Sequence, residues 1–227
     1  MIPGLESEQC PSRTMSNSNE VEIKPLEAAS FLEIKTVGGG IQTAITTMTK
    51  IAKNNIKLID LGLPSGTLWA DRNVGADAPD GYGDYFRFGE TTPFTENSPS
   101  YKYENINENI AGTDKDAATT NLGVQFRMPT FEQMDELVNC CSRQWTQVNG
   151  VNGTMLTGPN GNSIFLPAAG YRYGYSGFLY YVGSDGFYWS ASLNGSNFGC
   201  DLCLHLNDCY WNGGNRACGF PVRPING

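Results

Sequence analysis

Residues 198–218 constrain this chain more than any other stretch, because they place an irregular set of side chains between two regular framework segments, 188–192 and 219–224. Leucine occupies alternate positions at the centre of the stretch, and period-two alternation is typical of a strand with one buried face. We expect the leucines to face inward and the residues between them to face solvent. A constant inner face beneath a chemically mixed outer face favours ligand binding over catalysis. The alternate leucines are Leu202, Leu204 and Leu206.

The composition argues against nucleic acid as the main partner. The 227 residues carry a formal net charge of −8, and the chain lacks the clustered Lys and Arg that phosphate binding needs. Its 27 Gly, 12 Pro and 11 Tyr favour short strands joined by many turns. A run of about 18 apolar residues is absent, so we expect no membrane span. The first ten residues lack the basic and apolar segments of a secretion signal, and none is predicted.

The sequence divides into an N-terminal arm, residues 1–55, and a larger domain, residues 56–227. The arm is polar at first, with a short strand predicted over 31–37 and a short amphipathic helix over 41–52. Such a helix is too short to be stable alone in water. It either packs on its own domain or joins copies of the chain into a dimer or trimer through residues 31–52.

The larger domain has the pattern of an α+β fold. A hairpin is predicted over 58–70, a long surface loop over 90–122, and a helix after Thr130, where Gln133 completes a capping box. Asn-Gly pairs at 149–150 and 152–153 predict hairpin turns. We therefore expect short antiparallel sheets, one or two helices and long loops.

Several short motifs, in order, resemble a Bacteroidetes-type major paralogous domain. The resemblance spans roughly residues 57–226 and implies a C-type-lectin-like fold, in which both ends of the domain meet in one small sheet. It implies that Leu58–Leu61 pairs near Phe220–Pro224. The motifs are Asp60–Ala70, Asn73–Ala76, Gly83–Tyr85, Phe88–Thr91, Arg127–Thr130, Asn149–Gly153, Leu166–Gly170 and Gly219–Pro224.

Within that family the chain is similar to the variable proteins of diversity-generating retroelements, which include phage receptor-binding tips and surface adhesins. In those proteins, mutation at template adenines turns an AAC codon into codons ending in C. The residues scattered over about 177–218 fit that set, except Trp211. The resemblance implies a ligand-binding surface formed by Phe178, Tyr180, Tyr181, Asp185, Phe187, Phe198, Cys200, Asp201, Cys203, His205, Asn207, Asp208, Tyr210, Trp211, Asn212 and Asn215.

This resemblance implies a non-enzymatic recognition protein. The expected partner is a protein or glycan receptor on another cell surface, and the expected location faces the exterior, on a virion tail or a bacterial cell surface. Tyr, Phe and Trp supply large contact areas with few rotatable bonds, as in antibody paratopes. The alternatives are a structural surface or pilus-tip protein and a calcium-dependent glycan-binding lectin.

Metal and thiol chemistry are weaker interpretations of the same stretch. Cys200, Cys203, His205 and Cys209 invite a zinc site, but on a strand Cys200 lies opposite Cys203 and His205. Calcium needs six to eight oxygen ligands, and the stretch offers few carboxylates. His205 is the only histidine, and no serine nucleophile motif accompanies it. We expect no catalytic residue, no metal and no cofactor.

The remaining predictions concern the scaffold. We expect Trp69, Trp145 and Trp189 to fill the core, and Ser190 and Ser192 to brace loops through hydrogen bonds. Arginines in so apolar a setting need partners. Asp84 or Glu90 is the expected partner of Arg127 and Arg223.

Overall fold

The computed structural model describes residues 56–106 and 109–227, and the predicted strand at 31–37, the helix at 41–52 and their role in oligomerisation lie outside this range. The described chain forms four small antiparallel sheets and two helices, as an α+β fold requires. The helices are α1 (Ala117–Leu122) and α2 (Phe131–Cys140). The strands are β1 (Leu58–Asp60), β2 (Leu68–Ala70), β3 (Tyr85–Arg87), β4 (Phe126–Arg127), β5 (Ser142–Val148), β6 (Val151–Thr157), β7 (Ser163–Pro167), β8 (Tyr171–Arg172), β9 (Leu179–Tyr180), β10 (Gly186–Leu193), β11 (Phe198–Leu204), β12 (Cys209–Asn215), β13 (Gly219–Pro221) and β14 (Ile225–Asn226).

The first and last of these strands lie in one sheet, ordered β1-β2-β14-β4. The predicted hairpin is confirmed, because β1 pairs antiparallel with β2. The expected pairing of Leu58–Leu61 near Phe220–Pro224 is wrong in detail. The β2 strand lies between them, with Trp69 opposite Ile225, and Phe220 pairs with Phe86 of β3 instead.

Helix α2 begins where the sequence places it. Thr130 accepts a hydrogen bond from the Gln133 backbone N–H, and the Gln133 side chain accepts one from the Thr130 backbone N–H. This capping box satisfies two N–H groups that a helix start otherwise leaves unpaired. The buried face of α2, Met134 and Leu137, packs on the sheet β10-β11-β12.

The two Asn-Gly pairs behave differently. Asn149 and Gly150 both have positive φ and join β5 to β6 in a two-residue turn, as predicted. The prediction at 152–153 is wrong, because those residues lie within β6 and pair with residues 146–147 of β5. The first Asn-Gly pair already forms the turn, so the second pair, three residues later, continues the strand pairing of β6 with β5.

The segment 90–122 is more ordered than its polar composition predicts. It contains α1 and the buried Ile106 and Ile110. Its anchor is Asp116, whose carboxylate is fully buried and accepts four backbone hydrogen bonds. These come from the N–H groups of Gly112, Ala118, Thr119 and Met128.

The scaffold predictions hold for most residues. Trp69 and Trp189 are fully buried, but Trp145 is only half-buried, because its strand β5 is an edge strand with an open face. Arg223 is fully buried and donates to the Asn73 side chain and to backbone carbonyls of Ala70 and Phe165.

The remaining scaffold predictions concern Arg127, Glu90 and the two serines. Arg127 donates to Gln133, while Glu90 pairs with Arg87 at 2.7 Å, so Glu90 is not the partner of either predicted arginine. Ser190 donates to the Cys200 carbonyl, and Ser192 accepts from the Phe131 N–H, which confirms their bracing role.

The buried Asp116 gives a test of how the polar segment is held. We expect Asp116→Ala to lower the free energy of unfolding by about 2–4 kcal/mol, because it removes a helix cap and leaves buried N–H groups unpaired. Urea denaturation measures the change. Asp114→Ala, at an exposed neighbour, is the control and is expected to have little effect. Equal losses in both variants would contradict this account.

Candidate functional site

The sheet β10-β11-β12 separates the domain core from a surface of mixed side chains. Strand β11 is its central strand. Leu202 and Leu204 lie on one face, fully buried against Tyr188 and the apolar side of α2. Their inward orientation agrees with the alternation in the sequence.

The opposite face of β11 is covered, contrary to expectation. Asp201 and Cys203 were expected to face solvent, but both are fully buried. The reason is a second layer from β13: Phe220 stacks on Trp189, the cross-strand neighbour of Asp201, with ring centroids 4.1 Å apart. Strands covered on both faces lose the simple inside–outside alternation. These two residues are therefore not part of an open binding surface.

The alternation also stops earlier than predicted. Strand β11 ends at Leu204, and the chain turns, with the His205 N–H donating to the Asp208 carbonyl. Leu206 therefore lies in a turn and is 61% exposed, so its predicted inward orientation is wrong. Asn207 and Asp208 are exposed, as expected.

A continuous cluster of aromatic rings lies beside this turn, and we call it the aromatic face. Ring centroids of successive members lie between 5.2 and 6.4 Å apart. Five tyrosines in it are exposed, from 40% at Tyr173 to 89% at Tyr175, whereas Tyr171 and Phe187 are half-buried and form its floor. Its members in chain order are Tyr171, Tyr173, Tyr175, Tyr180, Tyr181, Phe187, His205 and Tyr210.

Backbone geometry fixes where Tyr180 and Tyr181 sit. Tyr180 pairs with Tyr171 across β8 and β9. Gly170 permits this approach, because a Cβ there would lie 2.0 Å from the Tyr180 carbonyl oxygen. Tyr181 has φ of 58°, a left-handed value unusual for a bulky residue. Its carbonyl accepts from the N–H groups of Ser184 and Asp185, which holds the turn.

His205 links the two sides of the aromatic face. Its Nδ1 is hydrogen-bonded to Asp185 Oδ1, and because a carboxylate only accepts, the proton belongs to Nδ1. Its Nε2 then accepts from the Tyr210 hydroxyl at 3.0 Å, and the two rings stack with an interplanar angle of 12°. Ser184 donates to the other oxygen of Asp185 at 2.7 Å. This network fixes the orientation of the Tyr210 ring.

Two buried side chains, Asp201 and Cys203, form a hydrogen-bonded pair beneath Tyr210. The Cys203 thiol donates to Asp201 Oδ2 at 3.2 Å. Burial raises the pKa of Asp201 to about 6, and the hydrogen bond from Cys203 acts in the opposite direction. Burial together with the charge of Asp201 raises the pKa of Cys203 far above its usual range. The thiol is therefore protonated at neutral pH, which disfavours it as a nucleophile.

Cys200, Cys209 and Cys218 are also free thiols. Burial raises the pKa of Cys200 to about 11, and it raises that of Cys209 and Cys218 as well. Cys200 is half-buried, with its thiol directed to the Leu193 carbonyl. Residues 56–106 and 109–227 contain no group of three or more His, Cys, Asp or Glu side chains arranged to hold a metal.

The remaining site residues divide between the scaffold and a second exposed region. Trp211 is half-buried: its ring packs on Phe131 and its Nε1 donates to Asp135 of α2, so it serves the scaffold. Phe178, Phe198, Asn212 and Asn215 are exposed.

Phe198 and Asn215 lie at the far end of the β11–β12 ladder. They pair with one another, about 17 Å along the strands from Tyr210. The structure therefore does not gather all sixteen predicted residues into one patch.

Three tyrosines of the aromatic face, Tyr171, Tyr173 and Tyr175, were not among the predicted binding residues. Tyr171 is the ring that contacts Tyr180, Tyr181 and Phe187. Their period-two spacing was the available signal. Two strand residues and a turn present them beside Tyr180.

Helices of the described residues are too short to cross a bilayer, and none has the required apolar length. The longest, α2, has 10 residues.

The buried carboxyl of Asp201 gives a pH-dependent prediction. An unfolded Asp titrates near 3.9, so between about pH 4 and 6 the folded chain retains a proton that the unfolded chain has released. The contribution of that proton to the free energy of unfolding is lost as the pH rises through about 6. The side chain of Asp201→Asn stays neutral at every pH. We expect the free energy of unfolding of this variant at about pH 7.5 to be higher than that of the wild type by on the order of 1–3 kcal/mol.

The difference should disappear near pH 4, where both side chains are neutral. Urea denaturation of the two proteins at several pH values measures it, and Asp208→Asn at an exposed site is the charge-matched control. A difference that is constant with pH would contradict the assignment.

Comparisons with known proteins give no relative for this chain. Searches against protein-family models, curated proteins and solved structures find no match. The geometry described above is therefore what bears on function.

Proposed function

We propose that the domain is a C-type-lectin-like recognition module that binds its ligand non-covalently through the aromatic face, as a variable protein of the diversity-generating retroelement type. The observation that carries the proposal is the continuity of that face. Five exposed tyrosines share ring contacts across three segments of the chain. Exposed apolar patches of this kind mark interaction sites, and hot spots in interfaces are enriched in Tyr.

The architecture supports the proposal in two ways. The first and last described strands share one sheet, as the lectin-like resemblance implies. The binding side chains lie on short strands and turns above a core of fully buried aromatic residues, including Tyr188 and Trp189. A surface supported in this way changes its side chains without loss of the core.

On this scaffold, diversification is confined to the exposed positions of the predicted surface. Exposed positions such as Tyr180, Tyr210 and Asn212 accept many side chains because they contact few core atoms. At Asp201 and Cys203 the space is closed, so replacements there are limited by packing. The proposal therefore assigns target choice to the exposed members of the sequence-predicted set.

The proposed setting is an exterior surface, either a virion tail or a bacterial cell envelope. The proposed ligand is a protein or glycan receptor on another cell. Copies joined through residues 31–52 would gain avidity, because the second contact becomes intramolecular.

The origin of the variable surface is testable in the gene. We expect a second, imperfect copy of the coding sequence for residues 177–218 near the gene, together with a reverse transcriptase. Because the proposed mutagenesis acts at adenines, the copies should differ almost only at template adenines. Genome sequencing around the gene measures this. A neighbourhood with neither feature would remove the retroelement assignment while leaving the binding role open.

The binding role is testable on the protein. We expect Tyr180→Ser, Tyr181→Ser and Tyr210→Ser together to abolish binding of the full chain to a panel of bacterial cells, purified envelope proteins and glycans. The melting temperature should change by no more than about 4 °C, because the removed rings are exposed. Val124→Ser, at an 86% exposed apolar residue outside the face, is the control.

Three outcomes would contradict the proposal or favour an alternative. Unchanged binding in the triple variant would exclude the aromatic face as the ligand site. Loss of solubility or of assembly, with no binding by the wild type to any panel member, would favour a structural surface protein whose tyrosines pack against a subunit. Binding that is abolished by calcium chelation would favour the calcium-dependent lectin alternative.

A further inference from the structure

The binding region lacks positive charge. Residues 173–215 contain no Lys and no Arg, although they include Asp185, Asp201 and Asp208. These residues form most of the aromatic face. The rest of the described chain contains both basic and acidic residues. The charged groups of this stretch at neutral pH are therefore carboxylates. A guanidinium from another strand, Arg143 of β5, contacts the Cys209 thiol, which alternates with Tyr210 along β12.

The two arginines that bracket this stretch do not supply the missing charge. Arg172 donates to the Gly177 carbonyl at 2.6 Å, lies 3.8 Å from Glu96 and covers the Tyr85 ring. Arg216 is 2% exposed and donates to the carbonyls of Ser196 and Glu104. Both guanidinium groups are held by the scaffold, so neither is presented to a ligand on the face.

Two carboxylates lie at the edge of the aromatic face. Asp185 accepts from Ser184 and from His205, and within the described residues it forms no ion pair with Lys or Arg. Asp208 is exposed, and one of its oxygens accepts from the Cys209 N–H at 2.7 Å. It also forms no ion pair with Lys or Arg in that part of the chain. Burial and, among other groups, the charge of Asp185 raise the pKa of Tyr210. Asp208 lies two residues before Tyr210 in the chain.

We infer that the aromatic face selects a partner protein that presents Arg or Lys side chains, and this inference rests on the proposed function. A guanidinium or ammonium group over a tyrosine ring is attracted by the ring quadrupole. A carboxylate at the ring edge adds a charge-assisted hydrogen bond. The face supplies the exposed rings, and Asp185 and Asp208 supply the carboxylates.

The same charges disfavour anionic ligands. A sulfated or acidic glycan would place its negative groups beside Asp185 and Asp208 with no Lys or Arg of the face to receive them. Like charges brought together at an interface suppress binding of the wrong partner. The net charge of −8 extends this discrimination to long range, because a charged protein steers oppositely charged partners toward it.

The inference is testable with defined probes on the full chain. The first probe is a short Gly/Ser peptide with two arginines. The second is the same peptide with citrulline, which keeps the shape of arginine and lacks its charge. The third is a heparin oligosaccharide. Binding is followed by shifts of the amide ¹⁵N resonances of residues 180–185 and 205–210.

We expect only the arginine peptide to shift these resonances. Its affinity should fall at least about threefold between ionic strengths of about 0.02 M and about 0.2 M, because the charges on both sides are screened. Asp208→Asn should weaken it about two- to fivefold, the value of one exposed ion pair. Asp185→Asn should weaken it as well. Asp77→Asn, an exposed carboxyl outside the face, should leave it unchanged and serves as the matched control.

Three results would overturn the inference: equal binding of the arginine and citrulline peptides, heparin binding at the face, or equal effects of Asp208→Asn and Asp77→Asn. Failure here is distinct from failure of the proposed function. If the tyrosine triple variant loses a panel ligand while Asp185→Asn and Asp208→Asn retain it, the face binds a neutral partner. The recognition role then stands and the basic partner is rejected.

Discussion

The stacking of Phe220 on Trp189 is the contact on which the candidate site depends. It joins β13 to the sheet β10-β11-β12 with ring centroids 4.1 Å apart. The Trp189 Nε1 also donates to the Phe86 carbonyl at 2.7 Å, and Phe86 pairs with Phe220 across β3 and β13. The two sheets are thereby fixed to one another by both ring contact and hydrogen bonding. Phe187 and Tyr171, which form the floor of the aromatic face, pack on this same Phe220.

This arrangement divides the chain into a frame and a rim. The frame contains rings that are buried, and Tyr188 and Trp189 have hydrogen-bond partners inside the protein: the Tyr188 hydroxyl donates to the Pro167 carbonyl, and Trp189 Nε1 donates to the Phe86 carbonyl. The rim contains rings whose edges and faces meet solvent. A buried aromatic layer directly beneath an exposed one gives the exposed rings a rigid base, which reduces the conformational entropy lost when a ligand binds.

The sequence predicts those parts of the domain whose signals are local. The capping box at Thr130, the turn at Asn149 and the hairpin β1–β2 each depend on residues within a few positions of one another. The inward face of β11 was also predictable, because Leu202 and Leu204 alternate.

The errors concern contacts between distant segments. Nothing near Asp201 indicates that Phe220 covers its face, and nothing near Asp116 indicates that it also binds the N–H of Met128. The predicted exposure is confirmed for Tyr180, Tyr181 and Tyr210 and is wrong for Asp201 and Cys203, because contacts with distant segments cover those two residues. Tyr171 was missed because its role comes from the pairing of β8 with β9 and β13.

The left-handed backbone of Tyr181 has a consequence for how such a surface evolves. That conformation costs on the order of 1 kcal/mol for a residue other than glycine, and the hydrogen bonds of the 181–185 turn offset it during folding. Any side chain at this position leaves the backbone in the same direction, because the turn sets that direction. Exchange of this residue therefore changes the chemical group that is exposed without changing its position on the surface.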